Sequence, residues 1–246
     1  VNLPRFLQRK IDQAHGIIAQ GLAAMQQPYC ACSWGKDSGM VVYLLSQVAP
    51  DVPVVWLRDD DPIPDTLRFR DRCLREWQVR NYVEVPKVPL ATIIEEFHRI
   101  GLTDIDRTKN DQAKLVTLIK KHPLGEWAEG QGFDGLFWGL RADESRARRM
   151  LFRTKSPLYR LQSGEWRCAP IAFWTGTELW HIIDFLGLPY NALYDKTMFE
   201  PREMIRNGGW LSTDGAWHGR VVWLKHYYPD LYQRLAAEFP EVTSYA

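Results

Sequence analysis

The apolar run Tyr29-Cys30-Ala31-Cys32 stops at a polar, glycine-containing turn, Ser33 to Gly39, and a continuous apolar stretch, Met40 to Val48, resumes beyond it. The short run reads as a buried strand and the longer stretch as a buried helix. A strand that passes through a tight turn straight into a helix constrains the rest of the chain. The next strand must lie parallel to the first, with the helix covering one face. Val52 to Leu57 (VPVVWL), Tyr82 to Val85 and Gly135 to Gly139 (GLFWG) supply further strand-like runs. Between them, Asp65 is placed to cap a helix through Trp77, and Thr92 to Ile100, Gln112 to Lys120 and a short segment after Pro123 read as helical. The alternation predicts an α/β fold: a parallel twisted sheet of about five strands with helices on both faces.

The flanks are helical in pattern. Leu7, Ile11, Ala14, Ile18, Leu22 and Met25 recur at helical spacing, so residues 1–27 are expected to form a helix packed on the domain. Residues 141–170 read as irregular, with a hairpin turn at Ser163-Gly164. Thr175 or Thr177 caps a helix through Leu186 that Gly187 and Pro189 end, and a last helix, His218 to Glu238, is interrupted near Pro229. The expected division is an N-terminal helix over 1–27, an α/β domain over 28–200 and a helical extension over 201–246.

Composition excludes several classes. Lys and Arg number 31 against 30 Asp and Glu, and a net charge of +1 is not the footprint of a non-specific nucleic-acid binder, although a local basic face stays open. No apolar run has the length of a bilayer span, and Val1 to Gln27 lacks the order of a signal peptide, so a cytoplasmic protein without membrane contact is expected. Cys30, Cys32, Cys73 and Cys168 form no CxxC pair, which supports neither a zinc ribbon nor a disulfide framework.

The turn Ser33-Trp34-Gly35-Lys36-Asp37-Ser38-Gly39 lies where a helix begins, and helix N-termini carry free N–H groups and partial positive charge that attract anions. Gly35 admits close backbone approach, Ser33 and Ser38 add hydroxyls, and Lys36 can neutralise phosphate charge; the spacing is not the Walker type. A second polar turn, Gly139-Leu140-Arg141-Ala142-Asp143-Glu144-Ser145-Arg146-Ala147-Arg148-Arg149, follows the Gly135 strand, and guanidinium groups suit phosphate or sulfate oxygens. A third stretch carries Pro170-Ile171-Ala172-Phe173-Trp174, then Trp180, then Leu188-Pro189-Tyr190-Asn191-Ala192-Leu193-Tyr194-Asp195. It reads as aromatic packing of a helix on the sheet, with Tyr194 and Asp195 bordering the turns.

The first turn resembles the SxGKDS loop of the PP-loop ATP pyrophosphatase superfamily (adenine nucleotide alpha hydrolase-like). The second resembles the GLRxxES-R segment of the phosphoadenylyl-sulfate (PAPS) reductase branch and of the related sulfate adenylyltransferase small subunit. The third is similar to the PI…W…lPynpLYd stretch of the same branch. The resemblance spans roughly Cys30 to Asp195, with its motifs in family order. It implies an adenine-nucleotide site with ATP, PAPS or adenylyl sulfate as ligand, built by Ser33, Trp34, Gly35, Lys36, Asp37, Ser38, Gly39, Asp59, Arg141, Ser145, Arg146 and Arg149. Lys36, Asp37 and Arg141 are its candidate catalytic groups, with Asp37 the candidate base by position.

The chain also departs from that pattern. Where the reductases carry a VDTG…FPET stretch, it reads Leu57-Arg58-Asp59-Asp60-Asp61-Pro62-Ile63-Pro64-Asp65-Thr66. The acidic turn can hold Mg²⁺, with Asp60 as ligand, or a ribose hydroxyl; a solvated turn explains it equally. No Cys follows Cys168, so the reductase nucleophile of the family is not expected, nor an iron–sulfur cluster; Cys30 and Cys32 read as core residues and Cys168 as a candidate reactive thiol. What the resemblance then implies is cleavage of ATP to AMP and pyrophosphate, adenylylating a substrate in sulfur transfer. DNA phosphorothioation proteins belong to the same branch, and a sulfur-donor partner such as a cysteine desulfurase, a homodimer and DNA or RNA contact are expectations of that reading. For nucleic-acid contact the candidates are Trp210, Trp217, His218, Arg220, Trp223, Lys225, His226, Tyr227 and Tyr228; core packing of Val221, Leu224 and Tyr228 is the favoured alternative. PAPS or adenylyl-sulfate reduction and a catalytically idle nucleotide-binding subunit remain as competing readings.

Overall fold

The computed structural model describes residues 3–59, 62–89, 92, 122–198, 200–207, 216–238 and 240–245. Helix α1 (Arg5–Ala24) leads into β1 (Pro28–Ala31), α2 (Lys36–Val48), β2 (Val54–Arg58), α3 (Pro64–Glu76) and β3 (Tyr82–Pro86). Then come α4 (His122–Gly130), β4 (Gly135–Phe137), a 3-10 turn (Ala142–Glu144), α5 (Arg146–Thr154), β5 (Leu158–Arg160), β6 (Trp166–Cys168) and α6 (Gly176–Leu186). A second 3-10 turn (Ala192–Asp195), α7 (Ala216–Tyr227), α8 (Pro229–Glu238) and a last 3-10 turn (Pro240–Tyr245) complete the described elements. The helices expected over Thr92 to Ile100 and Gln112 to Lys120 lie, apart from Thr92, outside the described residues.

The sheet has six strands in the order β3-β2-β1-β4-β6-β5, all parallel except the edge strand β5. This is the expected parallel sheet, with six strands where about five were expected. The segment read as irregular, 141–170, holds α5 and a hairpin whose strand β6 pairs with β4, Phe137 opposite Cys168. Each of these strands has only three residues, too short for its alternation to register as a period. The hairpin turns at Gly164, where φ is +96°.

Other boundaries shift for local reasons. Helix α2 begins at Lys36 rather than Met40, because its first turn is polar on the side that meets the crevice. Helix α3 starts on Pro64 after Ile63, so Asp65 is not its cap; it sits buried in the first turn. Thr175 does cap α6, accepting from the Glu178 N–H at 3.1 Å while Glu178 accepts from the Thr175 N–H at 2.7 Å. Pro229 divides the last long helix into α7 and α8.

The core lies on both faces of the sheet. Leu7, Ala14 and Ile18 of α1 are fully buried, and Gly21 lets that helix approach the sheet so closely that a Cβ there would lie 2.8 Å from the Phe137 ring. Each fully buried Leu or Ile contributes roughly 1.5–3 kcal/mol of transfer free energy. Trp223, Leu224 and Tyr228 belong to the same core, so these members of the C-terminal aromatic stripe pack inward, while Tyr227 is half-buried and Lys225 and His226 are exposed. The side chains of Trp210, Trp217, His218 and Arg220 lie outside the described residues. Among the described residues no helix is long and apolar enough to cross a membrane.

Candidate functional site

Strand β1 has β2 on one side and β4 on the other, so the direction of winding reverses between β1 and β4. In open α/β sheets a crevice opens at the carboxyl ends of the strands at such a point. The turns after β1 and β4 meet there, backbone against backbone: a Cβ on Gly139 would lie 2.6 Å from the Asp37 carbonyl carbon and 2.6 Å from the Ser38 nitrogen. Only glycine fits at that crossing.

The loop before α2 is held by named groups. The Ser33 carbonyl accepts from Asn207 Nδ2 at 2.5 Å, and the Trp34 carbonyl accepts from Asn191 Nδ2 at 3.2 Å. Asn191 Nδ2 also donates to Thr66 Oγ1 at 2.9 Å, and Thr66 Oγ1 donates to Asn207 Oδ1 at 2.6 Å. The Ser33 N–H donates to Ser38 Oγ at 3.2 Å, and the Trp34 N–H to the Cys32 sulfur at 3.3 Å. Trp34 adopts a left-handed conformation, φ +58°, which costs a non-glycine residue about 1–3 kcal/mol unless its surroundings enforce it.

Helix α2 has no side-chain cap. The Lys36 N–H donates to the Tyr194 hydroxyl at 3.0 Å, whereas the N–H groups of Gly35, Asp37 and Ser38 have no acceptor among the described residues. Open donors at a helix N-terminus, with the partial positive charge of the helix behind them, form an anion site. Gly35 is buried there, and its missing side chain makes room for Tyr194, whose oxygen would stand 3.1 Å from a Cβ at that position. Lys36 is buried beside the loop, its Nζ 3.1 Å from Asp37 Oδ2 and 5.3 Å from the centre of the Tyr194 ring.

The other expected site residues divide by placement. Trp34 is fully buried, its indole packed on Phe69 and Tyr82, so only its backbone belongs to the loop. Arg141 is 4% exposed and bonds inward, Nε to Asp37 Oδ1 at 2.5 Å and Nη1 to Asp143 at 3.3 Å and the Trp174 carbonyl at 3.4 Å. Burial by itself would lower the Arg141 pKa; the Asp37 carboxylate, with Glu144 and Asp143, raises it above the ordinary arginine value. Arg141 thus stands behind Asp37 and ties the two turns together. Ser145 caps α5, accepting from the Arg148 N–H at 3.2 Å. Arg146 and Arg149 are exposed on α5 and have no ion-pair partner among the described residues, while Arg148 pairs with Glu144. Asp59 pairs with Lys87 and exposed Arg58 with Glu84 at 3.5 Å; Asp60 lies outside the described residues. Of the bordering pair, Tyr194 touches the loop, and Asp195 accepts from Tyr190 at 3.1 Å.

Asp60, the candidate Mg²⁺ ligand, lies outside the described residues, and the described carboxylates and thiols can be judged by their partners and burial. Among the described residues no group of three His, Cys, Asp or Glu side chains gathers, and the carboxylates of Asp37 and Asp59 are both occupied by cationic side chains. They do not fit as a protein-built Mg²⁺ site, and no step below runs through the metal. Cys168, a candidate reactive thiol by sequence, is fully buried under α1, and burial pushes its pKa up to about 12. Burial does the same to Cys32, again to about 12, and raises Cys30 and Cys73. A thiol so shifted holds almost no thiolate at neutral pH.

Thr66, Asn191 and Asn207 were not singled out by sequence. Thr66 and Asn191 carried a signal only as members of the Pro64-Asp65-Thr66 and Pro189-Tyr190-Asn191 patterns. Nothing in the order of residues links Asn207 to Ser33, 174 positions away.

Comparison with known proteins adds three relatives and a family. Residues 27–234 match the family model described as the phosphoadenosine phosphosulfate reductase domain. The chain is 26% identical over 174 residues to phosphoadenosine 5'-phosphosulfate reductase of Xanthomonas campestris pv. campestris, covering 70% of this chain and 67% of that one. In fold it is similar to a phosphoadenylyl-sulfate reductase of Candida auris, with TM-score 0.56 and 14% identity over 79% of this chain and 93% of that one. A Candida glabrata FMN adenylyltransferase, solved with FAD and inorganic pyrophosphate, is similar with TM-score 0.52 and 13% identity, over 79% of this chain and 64% of that one.

Proposed function

The chain belongs to the phosphoadenosine phosphosulfate reductase domain family, and we propose that within it the protein binds an adenine nucleotide and cleaves ATP to AMP and pyrophosphate, adenylylating a substrate in sulfur transfer. The observation that carries this reading is the set of N–H groups on Gly35, Asp37 and Ser38, without an acceptor among the described residues, beside Lys36 at the start of α2. They suit a polyphosphate tail, whose charge grows on the departing pyrophosphate.

In the proposed step an oxygen of the acceptor attacks the α-phosphorus. The bond from that phosphorus to the bridging oxygen breaks, and pyrophosphate leaves with the electron pair. The loop N–H groups, the Ser33 and Ser38 hydroxyls and Lys36 take up the developing charge. Lys36, whose Nζ lies 3.1 Å from Asp37 Oδ2, reaches the pyrophosphate by leaving that carboxylate. Asp37 has one oxygen on Lys36 and the other on Arg141, which suits orienting the lysine better than accepting a proton. Arg141 acts through Asp37. Exposed Arg146 and Arg149 are assigned to phosphate or acceptor oxygens, Gly39 to the close packing of α2, and Ser145 and Asp59 to holding the arginine helix and the second turn. In the sulfur-modification form, DNA phosphorothioation included, the persulfide sulfur of a donor protein attacks the adenylylated acceptor, AMP leaves with the acceptor oxygen and the electron pair, and a second thiol of the donor breaks the S–S bond to leave the sulfur on the product.

Incubation with α-labelled ATP, Mg²⁺ and candidate acceptors is expected to release AMP and pyrophosphate, and Lys36→Ala is expected to abolish release. Release by the variant at the wild-type rate overturns the assignment. The reductase relatives favour a second reading, sulfonate reduction of PAPS or adenylyl sulfate. Sulfite formed from PAPS in a thioredoxin-coupled assay, with no pyrophosphate from ATP, selects it.

A further inference from the structure

We propose that Thr66, Asn191 and Asn207 form a carbonyl clamp that turns the N–H groups of the loop toward the phosphates, which makes them positioning residues for the nucleotide. The proposal rests on the nucleotide reading above and deepens it.

A loop that binds an anion through its N–H groups must keep its own carbonyl oxygens away from that anion. In a trans peptide the carbonyl and the following N–H point in opposite directions. Holding the Trp34 carbonyl inward on Asn191 therefore turns the Gly35 N–H outward, and that N–H has no acceptor among the described residues. Holding the Ser33 carbonyl on Asn207 directs the Trp34 N–H onto the Cys32 sulfur. Rotation of the Trp34–Gly35 peptide would exchange an open donor for a lone pair facing phosphate. Trp34 is in the left-handed region, φ +58°, so its flanking peptides need such restraint.

The clamp runs in one direction. Asn191 Nδ2 spends its two protons on the Trp34 carbonyl and Thr66 Oγ1. The Thr66 hydroxyl, having accepted, donates to Asn207 Oδ1, which leaves Asn207 Nδ2 facing the Ser33 carbonyl. Thr66 thus selects which end of the Asn207 amide meets the loop. Its members come from the first turn of α3, the turn after α6 and the segment following it, and Thr66 and Asn191 are buried. Asn207 lies past the second 3-10 turn (Ala192–Asp195), so the segment after that turn takes part in the site.

Calorimetric titration of wild type, Thr66→Val, Thr66→Ser and Asn207→Asp with ATP, pyrophosphate and adenosine tests the clamp, with melting temperatures measured alongside. Val removes the hydroxyl, Ser restores it, and Asp sets a carboxylate oxygen against the Ser33 carbonyl. Thr66→Val and Asn207→Asp are expected to weaken ATP and pyrophosphate about tenfold or more, with adenosine affinity unchanged and Thr66→Ser within about twofold of wild type. ATP and pyrophosphate affinities within about twofold of wild type in both disrupting variants overturn the clamp, as does a parallel loss of adenosine affinity. Should Thr66→Val not fold, Asn207→Asp decides by the same criteria. A wild-type protein that binds neither ATP nor pyrophosphate overturns the nucleotide reading itself, and the clamp with it.

Discussion

Arg141 Nε lies 2.5 Å from Asp37 Oδ1, joining the turn after β4 to the first turn of α2 across the point where the sheet reverses its winding. The guanidinium is buried, and Asp37 carries Lys36 on its other oxygen. Removing the arginine leaves the half-buried Asp37 carboxylate with Lys36 alone. Arg141→Ala is expected to lower unfolding free energy by about 1.5–3 kcal/mol, and Arg141→Lys to recover only part of it, since an ammonium cannot reproduce the bonds of Nε and Nη1 together. Urea midpoints measure both, and a loss below about 1 kcal/mol for Arg141→Ala contradicts the tie.

Glycine replacements separate close packing from backbone entropy. Gly139→Ala drives a methyl into the Asp37–Ser38 backbone and is expected to cost about 1–3 kcal/mol and to weaken ATP binding. Gly16→Ala, exposed in α1 with nothing near its Cβ, is expected to stabilise by about 0.5–1 kcal/mol. Thermal melts of the two variants should move in opposite directions.

All four cysteines are buried, and their thiols are shifted upward. The native protein is expected to resist alkylation by iodoacetamide at pH 7–8, at a rate limited by unfolding, and to react fully in denaturant. Rapid labelling of Cys168 in the native state, read by mass spectrometry, would restore it as a candidate nucleophile.

Acid stability should follow Asp65 and Glu178. Burial alone would raise the Asp65 pKa, but hydrogen bonds from Tyr228 at 2.5 Å, Lys196 at 3.0 Å and Arg68 bring it below the ordinary carboxylate value. For Glu178 burial is likewise outweighed, by the Thr175 N–H and Lys10. A carboxyl whose folded pKa is depressed binds fewer protons in the folded state. Its contribution is complete above the unfolded value of about 4 and is lost as pH falls through the lower folded value. Denaturation curves between pH 3 and 7 should show stability falling below about pH 4, with a shallower fall in Asp65→Asn. Equal acid slopes in the two proteins would assign the fall to other groups.

Much of this arrangement was legible beforehand, and the failures have causes. The β1–α2 unit showed because a buried strand, a glycine-containing turn and a buried helix each impose a residue pattern within a few positions. Of the β5–β6 hairpin only the turn at Ser163-Gly164 showed, because a three-residue strand completes hardly more than one period of alternation. Asp65 looked like a cap because an acid before an amphipathic run usually is one. Pro64 took the first helical position instead and left Asp65 to be buried by Tyr228 and Lys196.

By itself the sequence determined the loop before α2, the polar turn that starts at Gly139, and the parallel sheet that brings both to the carboxyl ends of its strands. These are local or periodic features, and each follows from steric and hydrophobic rules acting over a few residues. Only the tertiary structure decided that Arg141 serves Asp37 rather than solvent, that Cys168 is sealed beneath α1, and that Asn191 and Asn207 hold the loop carbonyls. A backbone carbonyl is the same at every residue, so a side chain that bonds to one leaves no mark on its partner's identity, and the fold alone sets which of the two meet.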